Sequence, residues 1–178
     1  MATKRLYVLR HAKSSWEGLG LDDHERPLAP RGRRALKVLS SYMRSQAIEP
    51  SLVLCSTARR TRETLEGVEP GGQHVIEPEL YAVSPGALLE RLREIPEGTA
   101  SVMLIGHNPA VQVLVLRLAA ADDSSPVAGE LGEVQRKFPT GALATLEFDC
   151  PWDKLGPGKA RLTGFVRPKQ LESRSRSL

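Results

Sequence analysis

The chain has few of the residues that mark secreted or nucleic-acid-binding proteins. Its 178 residues include two cysteines, Cys55 and Cys150, so the sequence gives no sign of a disulfide framework and a reducing compartment is expected. Aromatic residues make up 4% of the chain, and no basic run is interleaved with them. Because single-stranded nucleic acid is usually bound by aromatic stacking within a basic groove, we expect no nucleic-acid partner.

Long apolar runs are also missing. The first short apolar run ends at Arg10. It falls far below the ~7–15-residue core of a signal peptide and the ~20 residues of a membrane span. We therefore expect a cytoplasmic protein without a membrane partner.

Size and composition favour one folded unit. Hydrophobic residues make up 40% and charged residues 26%, which is typical of a globular domain. We expect a single domain over residues 1–171 and a mobile basic tail over 172–178. A net charge of +4 would favour acidic ligands. Part of this charge lies in the run 31–34 and in the tail, where basic residues are usually only solvated. The sequence does not indicate an oligomeric state.

Strand-like and helix-like segments alternate along the chain. Short apolar runs predict strands at 6–9, 52–55, 74–76 and 102–105, and amphipathic or apolar runs predict helices at 31–46, 58–66, 85–93 and 109–120. The segments 142–149 and 160–166 alternate apolar with polar residues and predict two further strands at the sheet edge. The fold class is therefore α/β: a three-layer sandwich with a mostly parallel central sheet, helices on both faces and antiparallel edge strands.

Some local details follow from single residues. Gly67 predicts the C-terminal cap of the second helix, and Asn108 predicts the N-cap of the helix at 109–120. The stretch from 122 to 139 predicts a loop that contains a helical patch.

Three predicted strands end in cationic or imidazole side chains. The first runs into Arg10 and His11, the second into the run 56–60, and the fourth into the run 106–109, which holds His107. In open α/β sheets, ligands bind beyond the carboxyl ends of the strands, so these groups are expected to share one anion-binding site.

Arginines crowd the start of the second helix. Arg59, Arg60 and Arg62 stand where the helix macrodipole disfavours cations. Either a bound anion resolves this conflict or all three side chains point into water. Arg10 and His107 favour the anion, since a phosphoryl group needs several donors around its three peripheral oxygens.

Four segments resemble motifs of the histidine phosphatase superfamily, which has the phosphoglycerate-mutase-like fold. In the family's order and spacing, they are the triplet 10–12 (RHA), the run 56–64 (STARRTRET), the triplet 78–80 (PEL) and the run 106–109 (GHNP). The small size, the short connections and the triplet 26–28 (RPL) look most like phosphohistidine phosphatases of the SixA type.

The resemblance implies covalent catalysis. His11 would attack phosphorus and become transiently phosphorylated. Glu79 would protonate the leaving group and then help water to attack the phosphoenzyme. The implied phosphate contacts are Arg10, Arg26, Arg60 and His107. The resemblance implies neither a metal nor a cofactor.

The chain departs from the family pattern beside the nucleophile. Ala12 replaces a glycine that many members carry, and its methyl group is tolerated only if the backbone there has a negative φ. Lys13 and Glu17 stand where mutase-like members have other residues. This difference argues against sugar-phosphate mutase activity. Lys13 also adds a cation at the rim of the site.

Several functions remain open at this point. The favoured one removes phosphoryl groups from phosphohistidine in proteins, such as a histidine phosphotransfer domain. Short loops would leave the pocket open enough for such a substrate. The alternatives are a phosphomonoesterase acting on a small phosphorylated metabolite and a phospho-recognition module without turnover, although retention of every core residue argues against the module.

Other phosphate chemistries do not fit the sequence. A cysteine-dependent phosphatase would need arginine six residues after Cys55, where Thr61 stands. Cys55 is instead assigned as a buried apolar residue. The GxxxxGK[ST] loop of nucleoside-triphosphate hydrolases is missing. His24 and His74 are assigned as structural or surface residues.

Overall fold

The computed structural model describes residues 2–18, 20–120 and 128–177. Within them the chain forms a sheet of six strands in the order β3-β2-β4-β1-β5-β6. The strands are β1 (Lys4–Arg10), β2 (Leu52–Ser56), β3 (Gln73–Glu77), β4 (Ser101–Gly106), β5 (Leu143–Phe148) and β6 (Arg161–Val166). The first four run parallel, while β5 is antiparallel to both of its neighbours, β1 and β6. The α/β class and the antiparallel edge are confirmed.

Helices cover both faces of the sheet, as a three-layer sandwich requires. They are α1 (Pro30–Ser45), α2 (Arg59–Val68), α3 (Pro85–Arg93), α4 (Ala110–Leu118), α5 (Ala128–Arg136) and α6 (Pro168–Ser175). In the central strand β1, Leu6 and Val8 pack towards α3, α4 and α5, whereas Tyr7 and Leu9 pack towards α1, α2 and α6. Burial on both faces explains why this strand reads as a continuous apolar run.

The register of the central strands places the motifs side by side. Arg10 of β1 is paired with Gly106 of β4, and Cys55 of β2 is paired with Ile105. These four residues are the last or next-to-last residues of their strands. His11, His107 and the start of α2 therefore emerge together at one edge of the sheet.

The end of α2 differs from the prediction. Gly67 lies inside the helix, which continues to Val68, and Glu69 caps it with a left-handed φ of 47°. The reason is packing between helices: a Cβ added to Gly67 would lie 2.5 Å from Cδ1 of Leu36 in α1. Gly67 therefore allows α1 and α2 to pack closely and does not terminate α2.

Two helices lie in segments that the sequence assigned wholly or partly to loop or tail; the part of the predicted loop at 122–127 lies outside the described residues. The helix α5 occupies 128–136 because Val134, fully buried, and the following Phe138 contribute to the core. The helix α6 continues through Glu172 to Ser175, into the predicted tail, and buries Leu171 against the α1 face of the sheet. Among the described residues, no helix is long and apolar enough to cross a membrane.

Candidate active site

His11 follows the last residue of β1 and is 7% exposed. Its backbone N–H donates to the carbonyl of Gly106 at 3.1 Å, which ties it to β4. In the ring, Nδ1 lies 2.8 Å from the carbonyl oxygen of Ala12. Because a carbonyl only accepts, Nδ1 carries the proton and Nε2 keeps its lone pair.

The surroundings of His11 keep its imidazole neutral. The pKa of His11 is lowered to about 3: burial is the largest cause, and the neighbouring His107, Arg60 and Arg10 add to it against the opposing effect of the Ala12 carbonyl. At neutral pH, the ring is therefore uncharged, with a lone pair on Nε2, and is surrounded by fixed cations.

His107 faces His11 from the end of β4. The two ring centroids are 5.3 Å apart, with the planes tilted by 53°. Nε2 of His107 lies 2.8 Å from Oγ of Ser56, which itself accepts from the backbone N–H of Ala58 at 3.2 Å. The hydroxyl proton is thus free to be donated to Nε2, which favours the tautomer with the proton on Nδ1.

The second nitrogen of His107 completes this arrangement. Nδ1 is buried and has no hydrogen-bond partner among the described residues. A buried donor without a partner is costly, and a bound oxyanion would satisfy it. Burial, followed by the charge of Arg60, lowers the pKa of His107 to about 4.

Arg60 is the arginine of α2 that reaches the site. It is 7% exposed, whereas Arg59 turns back to Glu63 at 3.2 Å and Arg62 donates to the carbonyl of Thr57 at 3.0 Å. The charge of Arg60 depresses the pKa of both site histidines. Neither interpretation of this arginine cluster holds for Arg59 and Arg62, which bond to local partners. Anion binding by Arg60 stays a prediction.

Arg10 is anchored by the loop that precedes β5. Its Nη1 donates to the carbonyl of Phe138 at 2.8 Å, while Nε is buried and has no partner in the described part of the chain. Burial, with a smaller contribution from Arg60, lowers the pKa of the Arg10 guanidinium. Placing two guanidinium groups this close is unfavourable unless an anion lies between them.

Asn108 does not cap α4 as predicted. Its Nδ2 donates to the carbonyl of Phe138 at 3.1 Å, the same oxygen that holds Arg10, and Pro109 takes the cap position. The side chain is therefore part of the support for Arg10.

Asp23 is a site residue that the sequence did not reveal. It lies in a 3₁₀ turn (Asp23–Glu25) and binds three donors: its Oδ2 accepts from Arg60 at 3.0 Å and from the Tyr81 hydroxyl at 2.7 Å, and its Oδ1 accepts from Arg26 at 3.0 Å. The bonds from Tyr81, Arg26 and Arg60 hold the pKa of the Asp23 carboxyl far below its usual range. A possible signal was the three-residue spacing of Asp23 and Arg26 within a loop.

Arg26 lies behind Asp23. Besides the aspartate, it donates to Oγ of Ser14 at 2.6 Å and to the carbonyl of Ser15 at 3.1 Å, and its guanidinium carbon lies 3.3 Å from the ring centroid of Trp16. These contacts give Arg26 a structural task at the rim, and its predicted phosphate contact stays a prediction.

Glu79 lies at the rim on a second 3₁₀ turn (Pro78–Leu80) and is exposed. The turn leads directly to Tyr81, whose ring stands edge-on to His107 with the centroids 5.7 Å apart. His24, assigned to structure or surface, packs edge-on against Tyr81 at 4.8 Å and lies 2.9 Å from Oγ1 of Thr57. It is therefore part of the same rim.

The backbone after the nucleophile accommodates its alanine. Ala12 is fully buried and is not one of the residues with positive φ, as its methyl group requires. Its N–H donates to Oγ1 of Thr64 at 3.0 Å, and that hydroxyl donates to the carbonyl of Arg60 at 2.7 Å. One threonine thus connects the nucleophile segment to the helix that carries Arg60.

Neither a reactive thiol at Cys55 nor a cluster of metal ligands is found among the described residues. Cys55 is fully buried, and burial raises the pKa of its thiol to about 12, which fits its assignment as an apolar residue. In the ranges that the structure describes, no group of three or more His, Cys, Asp or Glu side chains could hold a metal ion.

The geometry defines a class of protein. A buried neutral imidazole with a free Nε2, two guanidinium groups and a second imidazole can together perform covalent phosphoryl transfer. Residues 6–101 match the model of the histidine phosphatase superfamily (branch 1). The chain belongs to this superfamily and is a phosphatase with the phosphoglycerate-mutase-like fold.

Relatives extend the match over nearly the whole chain. The uncharacterized protein Rv1276c of Mycobacterium tuberculosis is 33% identical over 163 residues, covering 90% of this chain and all of the relative. Phosphohistidine phosphatase SixA of Escherichia coli is 28% identical over 152 residues, covering 82% of this chain and 86% of that protein. A candidate phosphohistidine phosphatase SixA from Nakamurella multipartitia superposes with a TM-score of 0.81 at 29% identity, covering 94% and 98% of the two chains.

Proposed function

We propose that this protein is a metal-independent phosphohistidine phosphatase that acts through a covalent intermediate on His11. The observation that carries the proposal is the hydrogen bond from Nδ1 of His11 to the Ala12 carbonyl at 2.8 Å, which leaves Nε2 unprotonated. The similarity to phosphohistidine phosphatase SixA supports the choice of substrate.

In the first step, Nε2 of His11 attacks phosphorus and a P–N bond forms. The bond from phosphorus to the leaving imidazole breaks, and the leaving nitrogen takes up the proton of the Glu79 carboxyl group, which becomes a carboxylate. Arg10, Arg60 and Nδ1–H of His107 bind the non-bridging oxygens, and their contacts tighten as charge redistributes in the transition state.

In the second step, water attacks the phosphorylated His11. The water proton passes to the Glu79 carboxylate, the P–Nε2 bond breaks, and inorganic phosphate leaves. His11 returns to its neutral form with Nδ1 still bonded to Ala12. The rim position of Glu79, on the turn before Tyr81, is compatible with this exchange of protons.

The leaving group decides how much the enzyme needs Glu79. Phosphohistidine contains a labile P–N bond, whereas an alkyl phosphate must expel an alkoxide that requires a strong acid. Glu79→Gln should lower kcat/KM for an alkyl phosphate about 100-fold and that for a phosphohistidine peptide less than about threefold. Steady-state phosphate release measures both.

The control for this test is Glu49→Gln, which removes another exposed carboxylate, located before the amino end of β2 and therefore at the opposite end of that strand from the motif 56–64. It should leave both substrates unaffected. Equal losses on the two substrates in the Glu79 variant would contradict the assignment of Glu79. Absence of turnover on every phosphorylated substrate would instead identify a phospho-recognition module.

A second candidate is hydrolysis of a small phosphorylated metabolite. The observation that favours it is a cavity of about 600 Å³ beside Arg10, a volume within the range of small-molecule sites. The two candidate functions are distinguished by assaying the protein, without added metal, on a panel of phosphomonoesters and on a phosphorylated phosphotransfer domain. The preferred substrate has the higher kcat/KM.

A further inference from the structure

A basic cavity opens next to the phosphoryl site. It has a volume of about 600 Å³ and lies where the segment after β1, the loop before β5 and the starts of α1 and α6 meet. One carboxylate, Glu172, is among its lining side chains, which otherwise include six cations. These cations are Arg10, Lys13, Arg31, Lys137, Arg167 and Lys169.

Most of this charge is not neutralised within the described residues. Arg167 pairs with Glu133 at 2.9 Å. By contrast, Lys13, Arg31 and Lys169 form no ion pair with any carboxylate that the structure describes, and the same is true of Lys137. A concave site with one sign of charge concentrates the field and attracts a counter-ion.

Two helix N-termini strengthen the positive potential. Arg31 lies in the first turn of α1 and Lys169 in the first turn of α6, and neither first turn contains an acidic residue. Cations in this position oppose the helix macrodipole, while an anion is stabilised by it. An oxyanion in the cavity would remove the conflict at both helices.

Close packing fixes the position of the α1 end. A Cβ added to Gly32 would lie 2.3 Å from the carbonyl oxygen of Lys13, so only glycine lets this turn of α1 approach the segment after the nucleophile. The N–H of Ala29 also donates to that carbonyl at 2.8 Å. These contacts fix the position of the start of α1 relative to the segment that follows His11.

We propose that this cavity is a second anion subsite, and that the protein acts on phosphorylated substrates that carry a further oxyanion, a phosphate or a carboxylate. Arg10 lines the cavity and its charge also acts on His11, so the cavity and the phosphoryl site share one guanidinium. Its buried Nε, which has no partner among the described residues, is a donor for one of them. The inference rests on the proposed phosphoryl site at His11 but not on the nature of the leaving group.

Calorimetric titration with non-hydrolysable probes tests this subsite. The probes are methylphosphonate, with one anionic group, and a series of alkane-α,ω-bisphosphonates of increasing length. At least one bisphosphonate should bind the unmodified protein tenfold or more tightly than methylphosphonate. In the double variant Lys137→Glu/Lys169→Glu, this preference should fall below threefold, while methylphosphonate affinity changes less than the bisphosphonate affinity.

The matched control is Lys154→Glu/Lys159→Glu. It changes the net charge equally, but both lysines lie in the connection from β5 to β6, at the opposite edge of the sheet from the cavity. The control should keep the preference for the bisphosphonate. Equal affinity for all probes in the unmodified protein, or an equal loss in both double variants, would overturn the second subsite.

Peptide substrates identify the source of the second oxyanion. If it is a carboxylate of a phosphoprotein, phosphohistidine peptides with neighbouring aspartates should be preferred over neutral ones, and the Lys137/Lys169 variant should lose that preference. If the preference is confined to bisphosphonates, the second group belongs to a small phosphorylated molecule. Because the calorimetric readout needs no turnover, failure of the proposed phosphatase activity would be seen separately.

Discussion

The inner part of the site and its rim are built from different kinds of structure. Arg10, His11 and His107 stand at the ends of paired parallel strands, where the register of the sheet fixes them. Asp23 and Glu79 stand on short 3₁₀ turns between longer elements. The sheet therefore fixes the position of the inner groups, while the turns position the groups at the rim.

The largest test of this division is removal of the nucleophile. His11→Ala should lower kcat/KM at least about 1,000-fold, because no other group replaces Nε2 in the covalent step. The acid-labile phosphoenzyme seen after rapid quench should vanish as well. His74→Ala is the control, since its ring bonds to the carbonyl of Pro70 beside the edge strand. Persistent turnover in the His11 variant would reject covalent catalysis there.

The next test concerns the arginines of α2. Arg60→Ala should lower kcat/KM about 100-fold, because a buried cation that stabilises the transition state is lost. Arg62→Ala removes an arginine that bonds to the backbone of Thr57, and should cost less than about threefold. Similar losses in the two variants would mean that the start of α2 acts only through its overall charge. Rates on one substrate under identical ionic strength make the comparison.

Stability should depend on pH through the inner histidines. Their pKa values are lowered to about 3 and about 4 by burial, so below the unfolded-state value of roughly 6.5 the unfolded chain binds more protons than the folded one. The free energy of unfolding should therefore fall between pH 7 and pH 5, by about 2 kcal/mol for each histidine.

Urea denaturation in phosphate-free buffer measures this dependence. His107→Gln should remove roughly half of the fall that the two histidines cause, whatever the absolute stability of the variant. An unchanged pH dependence in that variant would show that folding does not lower the pKa of His107.

The smallest effect is expected at the rim. Asp23→Asn keeps an oxygen for Arg60 but loses the ionic bond, and should raise the inhibition constant of tungstate about fivefold, because Arg60 is less firmly positioned. Asp22→Asn is the control, since its side chain makes no capping bond. A lower inhibition constant in the Asp23 variant would show instead that Asp23 competes with the phosphoryl group for Arg60.

Much of the fold could be predicted from the sequence because its signals are local. All six strands lie close to their predicted positions, and the helix at 85–93 has its predicted bounds, since apolar runs and Pro85 mark them directly. Gly67 was misassigned because glycine serves both helix ends and close packing, and the partner Leu36 is distant in sequence. The helix α5 has few apolar residues, so its burial of Val134 depends on the sheet beneath it.

The same distinction applies to the site. The sequence placed Arg10, His11, Arg60 and His107 at strand or helix ends, and the structure brings them together. It did not place Asp23, because the pairing with Arg60 and Tyr81 joins residues 37 and 58 positions away. Ion pairs between loops have no periodicity, so nothing in the local sequence announces them.

The hydroxyl of Thr64 has a consequence for how the site can change over time. It receives the N–H of Ala12, 52 residues earlier, and donates to the carbonyl of Arg60 within its own helix. One hydroxyl thus links the segment that holds His11 to the backbone of Arg60, so a shift of α2 would move the two residues together. This coupling keeps the two residues aligned even where the surrounding turns change in sequence. Evolution can therefore alter the substrate that the turns admit while the reaction itself is retained.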